Sequence, residues 1–360
     1  MPAAASGRSA AGQLITERFS AQLLSGPPAR SAVAVTERLL AVQGQDPRGA
    51  RLAIRSRSAG LTAADVDRAL TVDRSLLITW LNRGTLHLVR SEDYWWLQPL
   101  LAPQLLTGNA RRLAQEGVSP AGAEKAVAVI EDSLAAEGPL TRLQLRDRIA
   151  AAGVRTEGQA LVHLLMLASL RGIAVRGPMA GAQHAYALVR DWLGPGPAQA
   201  PGAQDPDGRD KALSELARRF LAGHGPASDR DLAKWAGLPL RDARRGLTAI
   251  ASQLAERDDG LADLAGLRRD RQLPPTRLLG SFDPLLHGWV SREPVLGQHV
   301  GLVTDNGLFR PFILVAGRAA GTWGLRGQAV WLDRFGELRD DVEADLAAEA
   351  ADVGRFLGLA

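Results

Sequence analysis

The 360-residue chain has no cysteine. Disulfides and zinc sites built on thiolates are excluded with it, and a cytoplasmic location, nucleoid-associated when DNA is bound, is the expectation. No apolar run approaches the about 20 residues that a bilayer-crossing helix needs, so neither a transmembrane helix nor a membrane partner is expected. The opening stretch, MPAAASGRSAAGQ, lacks the apolar centre of a secretory signal and reads as a frayed terminus. The six histidines, at positions 87, 163, 184, 224, 287 and 299, form no H-x-H or H-x-x-x-H pair, so no metal site is expected. Gly-rich phosphate loops, G-x-S-x-G elbows and dinucleotide fingerprints are also missing, and no cofactor is expected. Lysine is nearly absent: Lys125, Lys211 and Lys234 stand against forty arginines. Positive charge is therefore carried by a planar fork suited to phosphates and base edges, although a GC-rich genome produces the same bias.

What is present points to a multidomain globular protein. Hydrophobic residues make up 46% and charged residues 23%, which is ordinary for a soluble fold, and the length calls for two or three domains. One helix-start signature recurs in three comparable settings: LTAADV from Leu61, LTRLQL from Leu140 and ASDRDL from Ala227. In each, a hydroxyl (Thr62, Thr141, Ser228) can cap a helix. The residue three further on (Asp65, Gln144, Asp231) can reach back, as in a capping box. A short helix (62–70, 141–152, 228–236), a second helix (74–83, 156–170, 239–254) and a strand or hairpin pattern are expected to follow each. Helix, turn, helix and wing is the layout of a winged helix.

The fold class expected is α+β: three tandem winged helix-turn-helix domains and a C-terminal β-rich segment. The boundaries are 12–110, 111–194 and 211–272 for the winged helices, with a Pro/Gly-rich linker at 195–210 and the β-rich segment with its terminal helix at 273–360. Arg241, Arg244 and Arg245 share one face of the third unit's second helix, where contact with nucleic acid or a solvated basic face are both open. Asp283 and Arg310 stand among apolar residues as candidate cleft linings, beside a structural reading as cap and packed arginine. The stretch TERLLAVQGQDP reads as an apolar helix that stops at Gln43-Gly44-Gln45. In a continuous helix the two amides would point about 200° apart. They can converge if Gly44 takes the left-handed conformation that ends helices.

The blocks LLAVQGQDPRGA, NRGTLHLVRSEDYWWL, EGPLTRLQLRDRI, GPASDRDLAKWAGL, SFDPLLHGW and GLFRPFILVAGRAAGTW, in this order, resemble the AlkZ-type (YcaQ-like) winged-helix DNA glycosylases from about residue 12 to 358. The resemblance implies three winged helices and a β-rich piece in a C-shaped body with a DNA-binding channel. It maps a catalytic Gln-(apolar)-Gln motif onto Gln43-Gly44-Gln45, with Gly44 where a larger apolar residue is usual. It also implies action on double-stranded DNA carrying bulky or crosslinked alkylpurines, in a branch linked to self-resistance against DNA-alkylating antibiotics. The chain is expected to act as a monomer, leaving an abasic site. A hairpin wedged into the duplex would replace base flipping for adducts too large for a pocket. The candidates are 172–189 and 310–323, the second favoured because Gly317-Arg318 lies at its tip, and His87 is a further lining candidate. A DNA-binding regulator without catalysis is the alternative, although three units with no evident sensor speak for the enzyme.

Overall fold

The capping chemistry is realised at all three signatures. Thr62, Thr141 and Ser228 begin the helices Ala63–Thr71, Arg142–Ala151 and Asp229–Ala236, each with a reciprocal capping box. These belong to a computed structural model that describes residues 10–181, 183–196 and 206–359. The expected frayed terminus lies largely outside the described residues, although Ala10–Ala21 is already helical.

The first signature heads a different member of its unit from the other two. In the second unit, helix Pro120–Glu137 leads to a single bridging residue, Leu140, which pairs with Tyr186. Helices Arg142–Ala151 and Ala160–Leu170 and a hairpin follow. The third unit has helix Pro206–His224, then Ala227 bridged to Ala262, then helices Asp229–Ala236 and Leu240–Ala249. Its wing is reduced to the bridge Leu254–Leu264. In the first unit the same succession is helix Ala32–Leu39, a short strand at Val42–Gln43, helices Pro47–Arg55 and Ala63–Thr71, then a hairpin. The counterpart of Thr141 and Ser228 is thus Asp46, which caps Pro47–Arg55 and accepts from the Arg48 N–H at 3.0 Å. The helix expected at 74–83 is a strand. Its sequence, LLITWL, is a continuous apolar run with β-branched residues, buried on both faces.

Among the described residues, nine strands form two antiparallel sheets: β1 (Val42–Gln43), β2 (Leu76–Leu81), β3 (Thr85–Arg90), β4 (Ala174–Ala180), β5 (Gln183–Leu188), β6 (Arg277–Leu279), β7 (Phe312–Val315), β8 (Arg318–Arg326) and β9 (Ala329–Arg334). The first sheet has the order β1-β3-β2-β4-β5, so the hairpins of the first two units merge, joined at Ile78–Arg176. Residues of opposite parity feed two cores. Val42, Ile78, Trp80 and Leu88 face one, whereas Leu77, Leu81, Val89 and Val175 face the other. The second sheet has the order β6-β7-β8-β9.

Two buried arginines fasten the first unit to the C-terminal segment. Arg55 binds Glu349 and Asp352 of helix Asp340–Leu357, each at 2.7 Å. Arg57 makes a two-pronged pair with Asp283 at 2.7 and 2.9 Å, both side chains fully buried. Helix Pro47–Arg55 also lies so close to the 280–281 backbone that a Cβ on Gly49 would stand 2.3 Å from the Ser281 carbonyl oxygen. Of the expected linker, 197–205 lies outside the described residues, and 206–210 opens helix Pro206–His224.

Candidate active site

Helix Ala32–Leu39 ends in a tight reversal. The Ala41 N–H donates to the Leu39 carbonyl at 2.8 Å across Leu40, which has φ +64° and ψ −45°. That is a γ-turn of the positive-φ kind, strained for leucine, and its fully buried side chain anchors it. The turn throws the chain into β1. Gly44 is not the breaking residue: it lies outside the left-handed region and donates its N–H to the Leu86 carbonyl at 2.7 Å, extending the ladder. Gln43 and Gln45 therefore stand two residues apart along an extended segment, and alternation sends both side chains to one side. Gln43 Nε2 donates to Gln45 Oε1 at 2.6 Å. Gln43 is 5% exposed and its Oε1 is buried without a partner, whereas Gln45 is exposed. One amide is an anchor and the other faces solvent.

The cross-strand register places a polar row beside them. Gln43 pairs with His87, and His87 with Thr79 on β2, so the three side chains share one face. His87 is buried, its Nδ1 lying 2.9 Å from the Thr85 carbonyl. Burial, reinforced by the Arg83 cation, pushes its pKa down to about 3, so it is neutral at physiological pH. Buried polar atoms without partners gather at this end of the sheet: Gln43 Oε1, Thr79 Oγ1, Thr85 Oγ1, His287 Nε2 and both amide atoms of Asn82. Such groups are scarce in folded proteins and ask for an explanation.

The other residues singled out in the sequence lie apart from this end. Asp283 lines no cleft; it is sealed against Arg57 and caps the turn Pro284–Leu286. Arg310 is exposed and borders a shallow cavity with His299, Leu302, Asp333 and Phe335. Arg318 opens β8 and lines a cavity with Leu14, Ile15 and Pro294. The adjoining turn cannot wedge into a duplex. It is docked on the protein, with Gly317 so close to Phe19 that a Cβ would lie 2.7 Å from the ring. Arg241, Arg244 and Arg245 are exposed on helix Leu240–Ala249, and each meets a carboxylate: Asp242 at 3.7 Å, Asp229 at 2.7 Å and Asp210 at 2.6 Å. The hairpin β4–β5, the less favoured wedge, leaves its turn at Gly181 exposed.

Sequence reasoning passed over Asn82, Arg83, Lys234, His287 and Arg292, which surround the glutamine end of the sheet. The available signal was NRG between two β-rich runs, a hairpin turn, obscured by placing 74–83 in a helix.

The fold is mixed α/β with two small antiparallel sheets, and the family match places the chain in a class of DNA glycosylases, enzymes that release bases from DNA. The family described as "DNA glycosylase AlkZ-like" matches residues 36–356, and the chain belongs to it. The "Interstrand DNA cross-link repair glycosylase" of Streptomyces sahachiroi is 26% identical, with 96% of each chain covered. The structure of the Streptomyces sahachiroi DNA glycosylase AlkZ has the same fold, with a TM-score of 0.76 over 98% of each chain at 24% identity. Among the described residues no helix is long and apolar enough to cross a membrane.

Proposed function

We propose that this enzyme is a monofunctional glycosylase that excises bulky or crosslinked cationic alkylpurines, N7-alkylguanine and N3-alkyladenine, from duplex DNA by attack of water at C1′. The observation that carries the reading is the 2.6 Å bond from buried Gln43 to exposed Gln45 at the open edge of a sheet. Gln45 is the residue that meets substrate, and Gln43 holds it. The Gln45 carbonyl oxygen accepts from Gln43 and keeps a second lone pair for a water proton. An amide is a feeble base, and the substrate needs no strong one. As the bond from C1′ to the purine nitrogen breaks, its electron pair neutralises the positively charged base. The water oxygen bonds to the oxocarbenium-like carbon. One water proton passes to solvent, so the positive charge of the lesion leaves as H⁺, with a neutral purine and an abasic site as products. Selectivity follows from the lability of cationic bases, because a neutral amide gives little help against an uncharged nucleotide.

The three repeated successions of helix, strand, helix, helix and hairpin support tandem winged helices, at about 12–110, 111–194 and 211–272, followed by the β-rich segment. They supply a frame for duplex DNA, to which Arg241, Arg244 and Arg245 are assigned as contacts at the cost of their ion pairs. The Streptomyces relative is named for the repair of interstrand cross-links, which supports crosslinked adducts as substrates; resistance to a DNA-alkylating natural product is the role we assign with that reading. Incubation with N7-alkylguanine DNA should yield free base and alkali-labile sites. Gln45→Ala should lower the single-turnover rate by 100-fold or more, with DNA binding unchanged. A wild-type protein that binds this DNA and frees no base would sink the reading.

A further inference from the structure

The turn between β2 and β3 carries features that the glutamine pair does not use. We propose that Asn82, Arg83, Lys234 and Arg292 form a binding site for a backbone phosphodiester of DNA next to the nucleotide that loses its base. The identity of that nucleotide rests on the glycosylase reading; the phosphate site does not.

Placement comes first. Val42 pairs with Leu88 and Gln43 with His87, the Gly44 N–H donates to the Leu86 carbonyl, and the chain then bends at Gln45, next to the end of β3 that begins at Thr85. The turn Asn82–Gly84 closes the hairpin immediately beyond Thr85. Any nucleotide held at Gln45 therefore has a neighbouring phosphate within the span of this turn.

Chemistry comes second. Three cations converge, and among the described residues none of them forms an ion pair; Asp231, the acid felt at Lys234, is outweighed there by burial, Arg292 and Arg83. Arg83 donates from Nη1 to the Lys234 and Trp235 carbonyls, at the C-terminal end of helix Asp229–Ala236. Lys234 Nζ donates to the Val290 carbonyl at 2.9 Å, and Arg292 Nε to the Leu286 carbonyl at 2.7 Å while its guanidinium lies over Phe309. Carbonyl groups orient these side chains without cancelling their charge. The contrast is with Arg241, Arg244 and Arg245, each already matched to an acid. His287, tilted by 38° against Phe309 with ring centroids 4.1 Å apart, records the resulting field. Burial first, then Arg83, Arg292, His87 and Lys234, hold it well below the ordinary histidine pKa.

A third observation is independent of charge. Asn82 is 1% exposed with neither amide atom bonded, in a turn where both it and Arg83 have positive φ, +23° and +26°. Strained backbone of this kind persists where the surroundings enforce it and gathers at ligand sites. An unmatched amide donor beside two guanidinium forks and one ammonium fits the tetrahedral oxygens of a diester. Phosphate contacts of this type set the register of a protein on its duplex.

The test uses the full chain and a duplex carrying one tetrahydrofuran abasic analogue, with binding followed by fluorescence anisotropy over a range of salt concentrations. Each phosphate contact contributes about 0.9 to the slope of log K against log salt. Lys234→Gln and Arg292→Gln should each reduce that slope by about 1 and weaken binding about 5-fold or more at low salt. Arg339→Gln, which removes an exposed arginine paired with Asp341 at 2.8 Å and given no part in DNA binding, should leave the slope unchanged. Replacing the two phosphates that flank the analogue by neutral methylphosphonates should reproduce the loss in wild type and add nothing in the variants. Unchanged slopes, or methylphosphonate losses that add in full to those of the variants, overturn the proposal. If Arg292→Gln melts early, the exposed Lys234→Gln decides. Wild type that meets these expectations yet releases no base from alkylated DNA would remove the glycosylase reading and leave the phosphate site standing.

Discussion

Replacing Gly44 by alanine tests how the two amides are brought together. If convergence depended on a left-handed glycine, a Cβ there would be costly. The structure instead puts residue 44 in extended backbone. A Cβ at this position would meet the Leu88 nitrogen at 3.5 Å and Ile78 Cγ2 and the Leu86 oxygen at 3.6 Å, all ordinary contact distances. Two terms then favour alanine. Removing glycine restricts the unfolded chain, contributing about 0.4–1 kcal/mol, and a buried methyl adds about 0.8 kcal/mol. Gly44→Ala should therefore stabilise by about 1–2 kcal/mol in urea titrations followed by tryptophan fluorescence. Single-turnover base release should stay within about threefold of wild type, since the Gln43–Gln45 bond is set by alternation along the strand and not by residue 44 itself. Destabilisation, or a large fall in release, would refute the extended-strand account. Gly44→Leu is a different case. Its larger side chain must displace Ile78, at a cost of roughly 1–3 kcal/mol.

Other outcomes follow from the buried polar structure. Asp283→Ala strands the fully buried Arg57 charge and should cost about 3–5 kcal/mol in chemical denaturation; an unchanged midpoint would contradict the pair's structural role. Gly317→Ala meets both a φ of +80° and the Phe19 ring, and a loss of about 2 kcal/mol or more is expected, with a neutral result arguing that the turn is free of the body. His87 and His224 are buried and neutral, each with its pKa pushed down to about 3, chiefly by burial. A histidine depressed in this way binds its proton in the unfolded state first. Its contribution is complete above about pH 6.5 and is lost as pH falls from 6.5 toward 3, at about 2 kcal/mol per histidine by pH 5. Thermal melts from pH 7 to 5 should show a falling Tm, and a flat profile would mean that these rings protonate without unfolding.

Much of the frame was legible along the chain. Capping boxes are local, made by residues three apart, and Thr62, Thr141 and Ser228 cap helices as their spacing implies. The unit register was harder, because Asp46-Pro47 is an equally good helix start and Thr62 belongs to the next helix. LLITWL was ambiguous for a physical reason. A strand buried on both faces shows no alternation, so its pattern matches a buried helix until its partners are known. Asp283 reads along the chain either as a cleft residue or as a structural cap; it is the cap, and its arginine partner lies 226 positions away, a pairing that no local pattern carries.

The sequence by itself determined that two neutral amides stand at 43 and 45, that arginine carries almost all the positive charge, and that one helix-capping signature recurs three times. Propensity, capping and side-chain chemistry are properties of neighbours along the chain. Only the tertiary structure decided that the amides converge because the segment is a strand, that Gln43 is buried and Gln45 open, and that Arg83, Lys234 and Arg292 meet beside them. Those facts depend on burial and on through-space charge, which arise when segments distant in sequence share one sheet and the layer packed over it.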